Sequence, residues 1–217
     1  RGGEAPPPPP PPCWAGVVYG FRRATPQELS HFCPHATHGF TYTTLIVEPT
    51  KYLKTIMRRI EAMGGQVSQM QINSLSEAKK GVRVRSRATG GLREATLVVN
   101  CAGLFGGALA GDDVQGVTPI RGQIVRVTPP PSRPTLTRFF FVDLTVDNEV
   151  AYILPRDDCI VLGGTEQVGD HNTGIDAKDT KEIMRKCAVM LPAIADAKVV
   201  SEWAGLRPSR SPVRMEL

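Results

Sequence analysis

No stretch of the chain is apolar for the roughly 20 residues that a membrane-crossing helix needs. The chain opens on Arg-Gly-Gly-Glu followed by prolines, not on the charged-then-apolar pattern of a secretion signal. The five cysteines, Cys13, Cys33, Cys101, Cys159 and Cys187, form no C-x-x-C pair. An odd count without paired spacing argues against a disulfide framework and for free thiols in a reducing compartment. Aromatic residues make up 6% of the chain, and the net charge of +5 is spread over many short basic clusters. No basic stripe with interleaved aromatics exists, so a nucleic-acid partner is not expected. The mild positive balance would still help draw in an anionic cofactor. There is no starting Met, and we expect a fragment or a processed chain.

With 217 residues, 41% of them hydrophobic, the chain has enough apolar material for a core and enough length for one domain or one and part of another. Residues 1–13 are a low-complexity tail. Its seven prolines, Pro6 to Pro12, impose polyproline II geometry and cannot join a core. A tail of this kind can serve as an SH3 or WW ligand, but no other docking signal surrounds it.

Thr25-Pro26 reads as a helix start, with Thr as N-cap and Pro at the first helical position. Residues 41–47 are rich in β-formers. Over 50–63, Leu53, Ile56, Met57, Ile60 and Met63 recur at helical spacing, a stripe that predicts core packing, and Gly64-Gly65 ends the helix. Strands are expected over 66–72, 81–88 and 94–99, with the arginines of 81–87 facing solvent. Leu97-Val98-Val99 reads as a strand covered on both faces. It runs into the small-residue turn Asn100-Cys101-Ala102-Gly103 and a weak helix over 104–110, an order that lets backbone approach a nucleotide. Residues 117–128 and 136–165 read as β. Within them Val-Ala-Tyr-Ile-Leu-Pro (150–155) and Ile-Val-Leu-Gly-Gly-Thr (160–165), joined by Arg156-Asp157-Asp158, form a hairpin signal. A helix over 178–190 turns Ile183, Cys187 and Met190 inward and stops at Leu191-Pro192. A last strand over 198–204 leads to Arg207. That arginine lies in an apolar, aromatic stretch, which predicts a buried guanidinium in need of an anionic partner. Its fork suits a carboxylate, and Glu202 or Asp158 could serve as well as a ligand. His31, Cys33, His35 and His38 lack the spacing of a zinc finger and have no second ligand cluster, so they read as a polar loop and no metal is expected.

Tyr-Ile-Leu-Pro, Leu-Gly-Gly-Thr and Gly-Leu-Arg-Pro-x-Arg-x-x-Val-Arg, in this order and spacing, resemble D-amino-acid and D-aspartate oxidases. Gly-Phe-Arg-Arg-Ala-Thr-Pro-Gln-Glu-Leu (20–29), Val-Val-Asn-Cys-Ala-Gly (98–103) and Arg-Gly-Gln-Ile-Val (121–125) resemble the same family in the same order, so the likeness runs from about 14 to 217. It implies an α+β chain: a mixed substrate-binding sheet plus part of an FAD-binding, Rossmann-like domain. Residues 14–49 would begin the substrate domain, 50–116 would be the rear of the FAD domain, and 117–217 would return to the substrate domain. The implied activity is FAD-dependent oxidative deamination of D-amino acids by O₂, giving 2-oxo acids, ammonia and peroxide. Arg207 and Tyr152 would hold the substrate's α-carboxylate, and Ile72, Asn100, Cys101, Ala102 and Gly103 would touch FAD. No catalytic protein base is implied, because orientation over the flavin carries the reaction. Arg121-Gly122-Gln123 reads as structural. D-aspartate oxidases carry arginine where this chain has Glu166. A carboxylate there would repel an acidic side chain, which points to neutral or basic D-amino acids.

The family should open on a βαβ unit bearing G-x-G-x-x-G. This sequence shows no such fingerprint, nor the glycine-rich segment expected after residue 217, so it reads as the middle of an oxidase that would hold FAD weakly by itself. A glycine or sarcosine type of flavin amine oxidase, or an inactive remnant acting as a binding module, fits the same motifs. Resemblance suggests a peroxisomal protein, with the cytoplasm as alternative, and allows a homodimer.

Overall fold

The computed structural model describes residues 7–32, 36–81, 84–85, 92–93, 97–111, 117–132, 140–144 and 149–212. The elements in chain order are β1 (Tyr19–Arg23), α1 (Pro26–Phe32), β2 (Phe40–Thr43), α2 (Pro49–Ala62), α3 (Leu75–Gly81), β3 (Val84–Arg85), β4 (Leu92–Arg93), α4 (Gly106–Ala110) and β5 (Thr118–Val127). There follow β6 (Phe140–Leu144), β7 (Glu149–Pro155), β8 (Ile160–Gly163), β9 (Gln167–Val168), α5 (Ala177–Met190) and β10 (Val199–Ser209). Helices and antiparallel strand pairs thus share one chain, as an α+β class requires. The main sheet has the order β10-β5-β8-β7-β6, with β9 added beside β5. No helix among the described residues is long and apolar enough to cross a membrane.

Two units divide the chain. The first comprises Arg1–Lys54, Gln123–Thr165 and Gly174–Ala204. Its core is one layer of sheet under one helix. Val125 and Val127 of β5, Ala151 and Ile153 of β7, and Ile160 and Leu162 of β8 meet Ile183, Cys187 and Met190 of α5. The expected hairpin is present, with Tyr152 opposite Gly163 and Pro155 opposite Ile160. Its turn is closed by Arg156, whose amide donates to the Cys159 carbonyl at 2.8 Å. The turn docks on the start of α2: Lys51 pairs with Asp157, and the Arg156 guanidinium donates to the Val47 carbonyl. Helix α5 is capped by Asp176, which accepts from the Lys178 amide at 2.7 Å. Gln123 fixes that cap. It donates to the carbonyl of Asp176 and to Thr180 Oγ1, and accepts from the Asp176 amide, all at 2.9 Å.

Helix α1 starts as expected. Thr25 Oγ1 accepts from the Glu28 amide at 3.2 Å, and the Glu28 carboxylate accepts from the Thr25 amide at 2.9 Å, a reciprocal capping box. Arg22 clamps the same carboxylate with both arms, each at 2.7 Å. These bonds hold Glu28 down at about 2 on the pH scale, the Arg22 bond first. The proline arm is not loose: Arg23 donates to the Pro9 carbonyl at 2.9 Å while stacking over Phe40. Strand β1 and its pairing with β2 were not expected, and β2 is shorter than the β-rich segment 41–47.

The second unit comprises Thr55–Gly122, Glu166–Thr173 and Gly205–Leu217. Several expectations need correction here. Residues 66–72 form no strand. They carry β-formers, but no strand among the described residues pairs with them, and propensity without a ladder does not make a strand. Helix α3 was not expected. Its signal is the box Ser-x-x-Glu: Ser74 Oγ accepts from the Glu77 amide at 3.1 Å, and Glu77 accepts from the Asn73 amide at 2.8 Å. Of 81–88, only Val84–Arg85 is a described strand, paired with Leu92–Arg93. Residues 97–99 are not a doubly covered strand: Leu97 is 78% and Val99 73% exposed. The apolar stripe of α2 packs into no core among the described residues, since no residue of that helix is buried.

Candidate functional site

Arg207 lies near the end of β10, in the second unit. It is exposed, which corrects the expectation of a buried guanidinium. The reason is the position of β10, last in the strand order, where only Ala204 of Val199–Ser209 is buried. An apolar stretch on an outermost strand need not be a covered one. The arginine is nonetheless placed. A methyl group on Gly122 of β5 would fall within 3.0 Å of Nη1, Nη2 and Cζ of Arg207, so the guanidinium occupies the space where a β5 side chain would stand.

Strand β5 is held by its flanking residue. Arg121 is 1% exposed, and its Nε donates to the Asn172 carbonyl at 2.8 Å while Nη1 donates to Gln167. Asp170 stands 3.9 Å from it. The Gly169 amide donates to the Pro119 carbonyl at 2.8 Å. The structural reading of the Arg121-Gly122-Gln123 motif therefore holds: Arg121 spends its polar groups on the segment around β9, and Gln123 on the cap and first turn of α5. Glu166 sits in the second unit, just before β9, and is exposed.

Tyr152 lies on β7 in the first unit, half-buried. Its ring crosses the neighbouring strand. A methyl group on Gly163 would lie within 3.0 Å of Cζ, Oη and Cε2, and one on Gly164 would be 3.1 Å from Oη. At its backbone, the Tyr152 carbonyl accepts from Cys187 Sγ at 3.4 Å. Burial pushes that thiol up to about 12.

Residues Asn100, Cys101, Ala102 and Gly103 are brought together in one turn. Asn100 organises it: Nδ2 donates to the Gly106 carbonyl at 2.7 Å, and Oδ1 accepts from the Ala102 amide at 3.2 Å. Gly103 has φ +57°, a left-handed conformation that only glycine adopts readily, and no atom stands within 4 Å of its missing Cβ. A short 3₁₀ helix (Gly103–Phe105) and α4 follow. The turn offers exposed backbone among small side chains, the surface a flat ring system can approach. Ile72 lies half-buried in the irregular segment ahead of α3.

A cleft of about 500 Å³ in the first unit is lined by Pro8, Arg23, Leu29, Ser30, Thr37 and His38 among others, none of which was singled out for substrate or cofactor. Cys33 and His35 of the rejected metal quartet lie outside the described residues. Gly122 and Gly163 were missed as site residues. Their signal was legible, because a glycine within a strand marks a close approach.

A family profile described as FAD dependent oxidoreductase matches residues 15–216. The chain is 35% identical over 204 residues to a D-amino-acid oxidase of Rubrobacter xylanophilus, covering 94% of this chain and 56% of that protein. It is 34% identical over 203 residues to a D-aspartate oxidase of Homo sapiens, covering 94% and 52%. The chain thus spans about half the length of these curated relatives. Among solved structures, glycine oxidase from Geobacillus kaustophilus superposes with a TM-score of 0.67 at 20% identity, covering 91% of this chain and 54% of that one. L-proline dehydrogenase from P. horikoshii gives 0.66 at 14%, covering 90% and 56%. At such identities the likeness is one of fold.

Proposed function

The chain belongs to the FAD dependent oxidoreductase family, and from that premise we propose that the whole protein deaminates D-amino acids oxidatively, yielding 2-oxo acids, ammonia and hydrogen peroxide. The observation that carries this reading is the pair of polar side chains laid over glycines: Arg207 over Gly122, and Tyr152 over Gly163 and Gly164. Such placement leaves room for a charged fork and a phenol hydroxyl against their neighbouring strands, and both are groups that bind a carboxylate.

The chain's own residues bind and orient. Arg207 would offer two parallel N–H donors to the substrate's α-carboxylate, and the resemblance to D-amino-acid oxidases gives the Tyr152 hydroxyl a carboxylate-binding role as well. The guanidinium is exposed, so a substrate carboxylate can reach it. The turn Asn100–Gly103 would hold FAD through its backbone, with Ile72 toward the adenine side. When bound, FAD supplies acceptance of the Cα hydrogen with its electron pair, and return of both electrons to oxygen. The imino acid released then hydrolyses in water. No residue need act as base if the substrate amine is neutral when the Cα–H bond breaks.

Glu166 supports the finer reading that neutral or basic D-amino acids are preferred to acidic ones. Its carboxylate replaces an expected cation, so a substrate side-chain carboxylate loses an attraction and gains a repulsion.

The test is an oxygen-dependent peroxide and ammonia assay on the whole flavoprotein with D-alanine, L-alanine, glycine and D-aspartate. D-Alanine should be the best of the four and L-alanine inert. Turnover of glycine above D-alanine, or of neither, would replace this reading by the glycine type or by an inactive protein.

A further inference from the structure

We propose that Gly122 is a positioning residue for substrate recognition: the absence of a side chain at this point of β5 sets where the Arg207 fork sits. The inference rests on the carboxylate role proposed for Arg207.

Strand β5 is buried along most of its length, and Val125 and Val127 show what such a strand ordinarily carries. A glycine in its middle weakens the strand, since it adds backbone freedom and removes a packing group. Gly122 is itself buried. The three atoms nearest to its missing Cβ all belong to one group, the Arg207 guanidinium. No backbone atom and no apolar side chain is among them. The cavity that a methyl would fill is therefore taken by the functional group and not by the core. Arg121, one residue away and on the opposite face, is locked to Asn172 and Gln167, so the strand cannot retreat to make room.

The consequence is asymmetric. Arg207 is the exposed end of a flexible side chain, so a methyl at 122 would be relieved by swinging the guanidinium toward solvent. The fold would lose little, and the fork would leave its place. Gly163 under Tyr152 differs, because a ring with two torsions inside the buried β7–β8 hairpin cannot swing away so cheaply.

The experiment compares Gly122→Ala, Arg207→Ala and the double variant in the whole flavoprotein. Melting temperature, flavin content, KM and kcat on D-alanine, and inhibition by propionate are measured. Propionate carries the carboxylate without the amine and so reads that subsite alone. For Gly122→Ala we expect a melting temperature within about 2 °C of wild type and full flavin content. KM for D-alanine and Ki for propionate should rise together by roughly 10- to 100-fold, the worth of a charge-assisted hydrogen bond, with a smaller change in kcat. In the Arg207→Ala background, Gly122→Ala should change neither constant, since no guanidinium remains to displace. Wild-type KM and Ki in Gly122→Ala, an equal loss in both backgrounds, or failure of Gly122→Ala to accumulate as folded flavoprotein would each overturn the proposal. If Arg207→Ala itself leaves KM and Ki unmoved, the carboxylate reading of Arg207 falls and this inference with it. A damaging Arg207→Ala beside a harmless Gly122→Ala removes this inference alone.

Discussion

At the scale of single residues, charge placement carries most of the functional content. Glu166 is exposed, so its effect on a substrate carboxylate is screened and belongs at the weak end of the electrostatic range. Glu166→Arg should raise kcat/KM for D-aspartate relative to D-alanine by about fivefold, or about 1 kcal/mol. The check is the ratio of the two specificity constants in wild type and variant. A ratio that stays put means that Glu166 points away from the substrate. Residue chemistry was readable in the sequence where a local motif fixed it. Arg121 and Gln123 read as structural and are: both are buried, Arg121 bonded to the loop after β9 and Gln123 to the cap and first turn of α5. Burial of Arg207 was misread, because hydrophobic neighbours in sequence say nothing of whether their strand is covered.

At the scale of elements, legibility followed locality. The α1 cap, the β7–β8 hairpin and the inward face of α5 depend on residues within a few positions of one another, and all three are present. Helix α3 depends on a box of the same kind, Ser74-Leu75-Ser76-Glu77, a local signal that the sequence reading did not use. The strands expected over 66–72 and 94–99 depend on partners distant in sequence, and pairing cannot be seen in the segment itself. The packing of α5 on the hairpin gives a prediction in pH. Burial favours the neutral Cys187 thiol and lifts it from 9.0 to about 12. A group whose folded value is raised stabilises the fold below its ordinary value and loses that stabilisation as pH climbs through the folded one. Stability should therefore decline across the window from 9.0 to about 12, and decline less in Cys187→Ala. At pH 8 a thiol reagent should modify exposed Cys13 and Cys101 at once, and Cys187 only after unfolding. Native labelling of Cys187 as fast as Cys101 would show that α5 does not seal the hairpin.

At the scale of the whole molecule, two units share one chain that spans about half the length of its curated relatives. Strands β5 and β10 each contribute residues to both units, and the two residues proposed for substrate recognition lie on them: Gly122 on β5, Arg207 on β10. The central claim is that Arg207 binds the carboxylate of a D-amino acid. The measurement that tests it most directly is kcat/KM for D-alanine in the whole flavoprotein with Arg207→Ala, at matched flavin content. A loss of roughly 2–5 kcal/mol in transition-state stabilisation is predicted, the cost of removing one member of a desolvated charge pair. Tyr152→Phe, which removes one hydrogen bond to the same group, should lose less, about 1–3 kcal/mol. Near-wild-type turnover of D-alanine by Arg207→Ala would contradict the account.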